Sequence, residues 1–159
     1  PLLTDSKKLT TKQRKEIRQE IEHIAISFAI AHVMPERIDE INILNASIEA
    51  MHLAIEKLDT TPAFILVDGN RFKPYLEIPH KCMIKGDARY LNIAAASVLA
   101  KTERDEFMTQ LHSSCPHYHW DTNKGYPTKN HRKGIQSNGA SKWHRKSFTL
   151  LPTQTQFDF

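Results

Sequence analysis

The apolar positions change period several times along the chain, and each change marks a new element. Thr10 is followed three residues on by Gln13, the spacing of a capping box. Ile17 and Ile21 then supply an apolar stripe opposite a charged face, which predicts a helix over about 11–23. From Ile24 to Val33 the large residues Ile24, Ile26, Phe28 and Ile30 alternate with small ones, a period of two that predicts a strand. Pro35 suits the first turn of a helix. Ile38, Ile41, Leu44, Ile48, Met51, Ile55 and Leu58 recur at spacings of three and four, predicting an amphipathic helix over about 35–58 with room for one break.

Past Thr60-Thr61-Pro62, the run Ala63-Phe64-Ile65-Leu66-Val67 ends in Asp68-Gly69-Asn70. A short apolar run closed by turn residues reads as a buried strand, over about 63–68. Asp68 then lies at a strand's carboxyl end, where open α/β sheets place their chemistry. Asp-Gly is equally a common hairpin turn, and both readings stand at this point. Residues 69–79 read as a loop, His80 to Lys85 as a short strand, and Tyr90 to about Leu111 as a helix whose Ala94-Ala95-Ala96 suits close packing on a sheet. Residues 113–128 read as loop, and 129–137 as a short helix stopped by Asn138-Gly139. Helices between short strands predict the α/β class.

At 159 residues a single domain is expected, large enough to bury a core without staples. The organisation predicted is one domain over 1–150 with a polar tail over 151–159. Two cysteines, Cys82 and Cys115, allow no disulfide framework beyond one bridge, and a reduced, cytoplasmic setting is the simpler expectation. The longest apolar stretch, Ile24 to Met34, is too short to span a bilayer. A net charge of +4 is compatible with a polyanionic partner without identifying one.

Asp105 sits four residues after Lys101, the spacing of a surface ion pair. It also shares a stripe with Ala94, Val98 and Met108 and so projects from or beside the packing face. Two acids from separate elements would make a hard-cation site suited to Mg2+ or Mn2+. Asp87 and Glu103 are the obvious additional carboxylates, and both have solvated readings. Tyr126, in the basic turn Lys124-Gly125-Tyr126, could stack on a sugar or base or simply pack on the body. His117, His119, His131 and His144 cluster late, with no cysteine pair to complete a zinc site.

The ordered series Asp5-Ser6-Lys7-Lys8-Leu9-Thr10, Asn42-Ile43-Leu44-Asn45-Ala46, Leu66-Val67-Asp68-Gly69-Asn70, Lys85-Gly86-Asp87, Ile93-Ala94-Ala95-Ala96-Ser97, Ala100-Lys101 with Arg104-Asp105, Lys124-Gly125-Tyr126 with Thr128 and His131, and His144-Arg145 with Ser147-Phe148 resembles bacterial ribonuclease HII, the type 2 ribonuclease H. The resemblance runs from residue 5 to about 150. It implies an RNase H-like α/β fold, a mixed five-stranded sheet flanked by helices. It implies metal-dependent endonucleolytic cleavage of RNA in RNA–DNA hybrids, including ribonucleotides embedded in duplex DNA. Of that family's four metal-binding carboxylates, two match Asp68 and Asp105. Its sugar-packing tyrosine matches Tyr126, and its phosphate-proximal lysine matches Lys7. Asn42 and Asn45 fall in a region facing the DNA strand, and Asp87 matches a recurrent acid that is not one of the four ligands.

One departure accompanies the match. The family's Asp-Glu-Ala-Gly-Arg-Gly stretch, which carries the first two carboxylates and senses the ribose 2′-hydroxyl, has no counterpart here. The expectation is therefore an N-terminally truncated RNase H-like fold lacking its first two strands, a monomer when complete, with weak or no cleavage by these residues alone. A hybrid-binding fragment without catalysis is the alternative.

Overall fold

The computed structural model describes residues 9–152. Seven regular elements follow one another: α1 (Thr11–Ile24), α2 (Pro35–Glu56), β1 (Ile65–Asp68), β2 (His80–Met83), α3 (Leu91–Ser114), α4 (Trp120–Asn123) and α5 (Lys129–Asn138). Short 3-10 turns lie at Gly86–Ala88 and Pro116–Tyr118. The chain divides into two compact units. One takes the described residues up to Val33 together with Leu44–Arg104; the other takes Met34–Ile43 and the described residues from Asp105 onward.

In the first unit, α1 begins where the capping box predicts. Thr10 Oγ1 accepts the Gln13 amide at 3.3 Å, and the Gln13 side chain accepts the Thr10 amide at 2.9 Å. Arg14, Ile17 and Ile21 form the buried face of α1. Ile17 and Ile21 pack against Val98 and Leu99 of α3, with Leu9, Ile30 and Ala95 at the margin. Each fully buried aliphatic side chain contributes about 1.5–3 kcal/mol, so this seam is the main hydrophobic anchor of α1. Arg18 reinforces it by bridging Glu22 at 2.6 Å and Glu103 at 3.1 Å.

β1 and β2 pair in parallel, Ile65 opposite His80 and Asp68 opposite Met83. The ladder continues past both ends, from the Ile65 amide to Pro79 O and from the Gly69 amide to Met83 O. Parallel pairing rules out the hairpin reading of Asp68-Gly69, because a two-residue hairpin joins antiparallel strands only. Gly69 instead takes φ 108°, turning the chain out of the strand. Burial alternates along β1, with Ile65 and Val67 inside and Asp68 exposed.

Two expectations need correction. Among the described residues, 25–34 join no strand where one was expected over 24–33, and α1 runs through Ile24; the described sheet has two strands. The period-two pattern is present, but a strand is a paired object and no described strand pairs with this segment. The one break for which the 35–58 pattern left room falls at Asn42, at φ 65° and ψ 165°, where two helices meet across a kink. The presumed loop over 113–128 contains the turn Pro116–Tyr118 and the one-turn α4.

The second unit closes around Tyr118, Trp120 and Ile135, with Met108, Leu111, Cys115, Trp143 and Leu150 against them. Gly134 lies so close to the Pro116–Tyr118 turn that a Cβ would sit 2.2 Å from His117 O; only glycine permits this approach of α5. Asp39 ties Met34–Ile43 into the unit, its carboxylate accepting the Lys146 amide at 2.7 Å and the Ser147 amide at 3.0 Å. The Ser147 hydroxyl also donates to it, and these bonds, the hydroxyl's first, hold the Asp39 pKa below the ordinary aspartate value.

Candidate active site

Asp68 is the last residue of β1 and is solvent-exposed, while Val67 before it is buried. The strand's alternation thus turns Asp68 outward, against a rigid support. One carboxylate oxygen is fixed: Oδ1 accepts the Gly86 amide at 2.8 Å. The local chain geometry explains why that amide is available. Lys85 adopts the left-handed conformation at φ 55° and opens the Gly86–Ala88 turn, so the Gly86 N–H is outside any ladder. Gly86 itself is buried, and a Cβ there would meet Ile93 Cδ1 at 2.5 Å, Met83 Cβ at 3.3 Å and Asp68 Oδ1 at 3.4 Å. Glycine therefore lets the turn press against the carboxylate. Asp87 follows in the same turn, half-buried. The Lys85-Gly86-Asp87 motif thereby acquires a physical task that its sequence alone did not reveal: its middle amide orients Asp68.

Asp105 lies in α3, one turn beyond the buried Thr102 and two beyond Val98. It is buried itself, at 8% exposure, which places it on the packing stripe and not on a solvated face as an ion pair with Lys101 alone would have it. Its carbonyl accepts the Thr109 hydroxyl at 2.9 Å. Asp68 belongs to the first unit and Asp105 to the second, and each is described within its own.

Tyr126 is 56% exposed, at the tip of a tight turn. The turn is organised by Asn123, a residue that sequence reasoning missed. The Asn123 side chain is buried, donates to Tyr118 O at 2.7 Å and accepts the Gly125 amide at 2.8 Å, while its carbonyl accepts the Tyr126 amide at 2.8 Å. Lys124 and Gly125 take φ 50° and 81°. Lys124 Nζ reaches Thr109 Oγ1 and Asp121 O, each at 2.6 Å, so its charge is held against the body. Asn42 is exposed at the α2 kink, and Asn45 is half-buried a turn later. Lys7 lies outside the described residues.

The late histidines are structural neighbours of this turn. His131 and His144 are buried with ring centroids 5.3 Å apart and planes nearly parallel. His144 Nδ1 accepts the Ser141 amide at 3.0 Å, which assigns the proton of the neutral ring to Nε2, an atom with no hydrogen-bond partner among the described residues. Burial, with the neighbouring His131 adding to it, pushes the His144 pKa down to about 4. Burial likewise raises the Tyr118 pKa; its hydroxyl donates to Gly139 O at 2.8 Å.

Carboxylate oxygens are the donors that hard divalent cations prefer, so Asp68 and Asp105 are chemically suited to Mg2+ or Mn2+. Among the described residues, however, no group of three or more His, Cys, Asp or Glu side chains is placed to hold a metal ion.

Known proteins of one family are similar to this chain. A family profile described as Ribonuclease HII matches residues 2–151. Ribonuclease HII of Christiangramia forsetii is 58% identical over 158 residues, covering 99% of this chain and 80% of that protein. The corresponding protein of Parabacteroides distasonis is 55% identical over 157 residues, covering 99% and 79%. The crystal structure of ribonuclease H2 from Pyrococcus horikoshii superposes with a TM-score of 0.78 at 23% identity, covering 93% of this chain and 77% of that one, and so shares the fold. With a family profile matched over nearly its whole length and close relatives of the same name, the chain belongs to the ribonuclease HII family of endoribonucleases, hydrolases that act on RNA in RNA–DNA hybrids.

Proposed function

We propose that this chain carries part of a carboxylate metal centre that cleaves the RNA strand of RNA–DNA hybrids, including single ribonucleotides in duplex DNA, leaving 5′-phosphate and 3′-hydroxyl ends. The observation that carries this reading is the Asp68 carboxylate, exposed at the carboxyl end of β1 with one oxygen fixed by the Gly86 amide at 2.8 Å. Fixing Oδ1 leaves Oδ2 directed for a ligand without a rotamer search, the preorganisation that metal sites require. Asp105 is the second carboxylate. Divalent ions, Mg2+ or Mn2+, would supply the Lewis acidity that phosphodiester hydrolysis needs. Tyr126 would stack on the sugar beside the RNA–DNA junction, Lys7 would lie near substrate phosphate, and Asn42 and Asn45 would face the DNA strand. The working unit is a cytoplasmic, monomeric RNase H-like domain over residues 1–150, with 151–159 as a tail.

Two carboxylates are fewer than two-ion hydrolysis ordinarily uses. Residues 1–159 by themselves are accordingly expected to cleave weakly or not at all. The test is a duplex bearing one ribonucleotide, incubated with Mg2+ or Mn2+. Robust cleavage that Asp68→Asn abolishes would overturn the expectation of weak activity and support the assignment of Asp68. The partial acid set also favours a second reading, a hybrid-binding module without catalysis. Binding that weakens steeply with salt, with no product formed, would support it.

A further inference from the structure

α5 carries its charge at the wrong end for its own stability. Its buried face is His131, Gly134 and Ile135. Lys129, Arg132, Lys133 and Gln136 recur at the three- and four-residue spacings of one helix stripe, and all four are exposed. The three cations stand in the first half of the helix, whose first turn holds no acid. A helix N-terminus is electropositive and favours carboxylates, so cations there oppose the helix dipole. Among the described residues none of the three has an ion-pair partner to offset this. The neighbouring sequence supplies none: residues 122–157 contain seven lysines and arginines and no aspartate or glutamate. A local charge arrangement that costs stability and is left uncompensated is accounted for by a partner that brings the negative charge.

We infer that the Lys129, Arg132 and Lys133 face of α5 holds the phosphodiester backbone of a nucleic-acid duplex beside Tyr126, lengthening the stretch of duplex that the second unit grips. The position of Tyr126 chooses this occupant. Tyr126 is 56% exposed, and Thr128, which caps α5 by accepting the His131 amide at 3.3 Å, follows two residues later. The turn that presents the ring thus runs directly into the cationic face. An aromatic ring beside a row of cations is the combination by which nucleic-acid surfaces join stacking to backbone charge. The spacing agrees. Lys129 to Lys133 covers about 6 Å of helix axis, and one strand of a duplex places a phosphate every ~3.4 Å, so the face meets two or three phosphates. The planar Arg132 guanidinium suits paired bonds to phosphate oxygens. The inference rests on the reading of Tyr126 as a sugar-stacking residue and adds to it a contact blind to base and sugar identity.

The test is a fluorescence-anisotropy titration of labelled duplexes with the 159-residue chain in EDTA, so that nothing passes through a metal centre. An all-DNA duplex and the same duplex bearing one ribonucleotide are compared between about 50 and 200 mM salt. The triple variant Lys129→Gln, Arg132→Gln, Lys133→Gln is expected to bind both at least about tenfold more weakly, with the slope of log affinity against log salt shallower by about 2–3. Its melting temperature is expected to hold or rise, because the cations oppose the dipole; Lys129→Glu should likewise weaken binding while raising the melt. Lys57→Gln, at an exposed position of the other unit, is expected to leave the slope unchanged. Equal binding of the two duplexes, with the slope lost in the triple variant, supports the α5 contact and counts against the ribonucleotide reading. A ribonucleotide preference, with the parent's slope retained in the triple variant, leaves that reading standing and overturns this inference. It is also overturned if the parent binds neither duplex, or if Lys57→Gln lowers the slope as much as the triple variant does.

Discussion

Gly86→Ala is the most direct probe of how Asp68 is held. The added Cβ would stand 2.5 Å from Ile93 Cδ1, against a comfortable carbon–carbon separation of about 3.5–4.0 Å. Ile93 Cδ1 is the tip of a side chain and can turn away, but Ile93 is only 6% exposed, so the turn is made into packed surroundings. Forcing such a side chain off its rotamer costs about 0.5–1.5 kcal/mol. Met83 Cβ, at 3.3 Å, is fixed to the β2 backbone and cannot swing. The Gly86 amide is therefore pushed outward and its 2.8 Å bond to Asp68 Oδ1 lengthens. A hydrogen bond to a charged acceptor is worth about 1.5–3 kcal/mol, discounted here to about 1 because water can replace it at the exposed Asp68. Against these stands a gain of about 0.4–1 kcal/mol from the stiffer unfolded chain. The net expectation is a loss of about 0.5–2 kcal/mol, or ~1–8 °C in melting temperature for a chain of this length. The assay is a urea and thermal melt of Gly86→Ala, Asp68→Ala and the double variant. A positive coupling of about 1 kcal/mol is expected between the two sites. An unchanged or raised melting temperature, or a coupling of zero, would refute the claim that the turn restrains the carboxylate.

Three further outcomes test other parts of the structure. Asn123→Ala removes the bonds that shape the Tyr126 turn and leaves Tyr118 O short of one donor, so a loss of about 1–3 kcal/mol is expected, with faster amide exchange at Gly125 and Tyr126 by NMR. Thr10→Ala breaks the capping box and should cost about 1 kcal/mol in urea unfolding, with helical circular dichroism otherwise intact. For His144, the folded pKa of about 4 lies below the ordinary 6.5, so the unfolded chain takes up a proton that the folded chain refuses. Its contribution is complete above pH 6.5, falls as pH drops toward 4 and levels off below; the loss is on the order of 2 kcal/mol after allowance for solvent screening. Tryptophan-monitored urea melts from pH 7.5 to 4 should show this slope, and His144→Gln should flatten it.

What the sequence revealed was whatever depends on near neighbours. The Thr10–Gln13 box, the Ile17–Ile21 stripe and the start of α5 at Lys129 are set by contacts three or four residues apart, and all three are present. The stripe through Val98 and Asp105 carried its burial with it. What it left open or missed depended on partners far along the chain. Whether Asp68-Gly69 is a hairpin or a strand end is decided by β2, through a parallel register that no local pattern announces. The Asn42 kink lies under an unbroken run of apolar spacings, because those spacings survive when two helices meet in near register. The turns at 116–123 rest on His119 in a left-handed conformation and on the buried Asn123, neither of which an apolar period registers. The series of short motifs nevertheless identified the family correctly, since it draws on the whole chain at once.

The clamp made by Asp39 sets the order in which the molecule can be completed. Its partners lie 107 and 108 residues downstream, and Met34–Ile43 belongs to the same unit as the residues from Asp105 onward. During translation this early stretch emerges long before anything it binds. At ~5–20 residues per second the wait is roughly 5–20 s, far longer than a helix needs to form. The Asp39 carboxylate thus spends that interval on a nascent chain with both of its future amide partners still unsynthesised. The second unit can close only after Lys146 and Ser147 have been made, which makes the arrival of that segment the step that commits the unit to its native form.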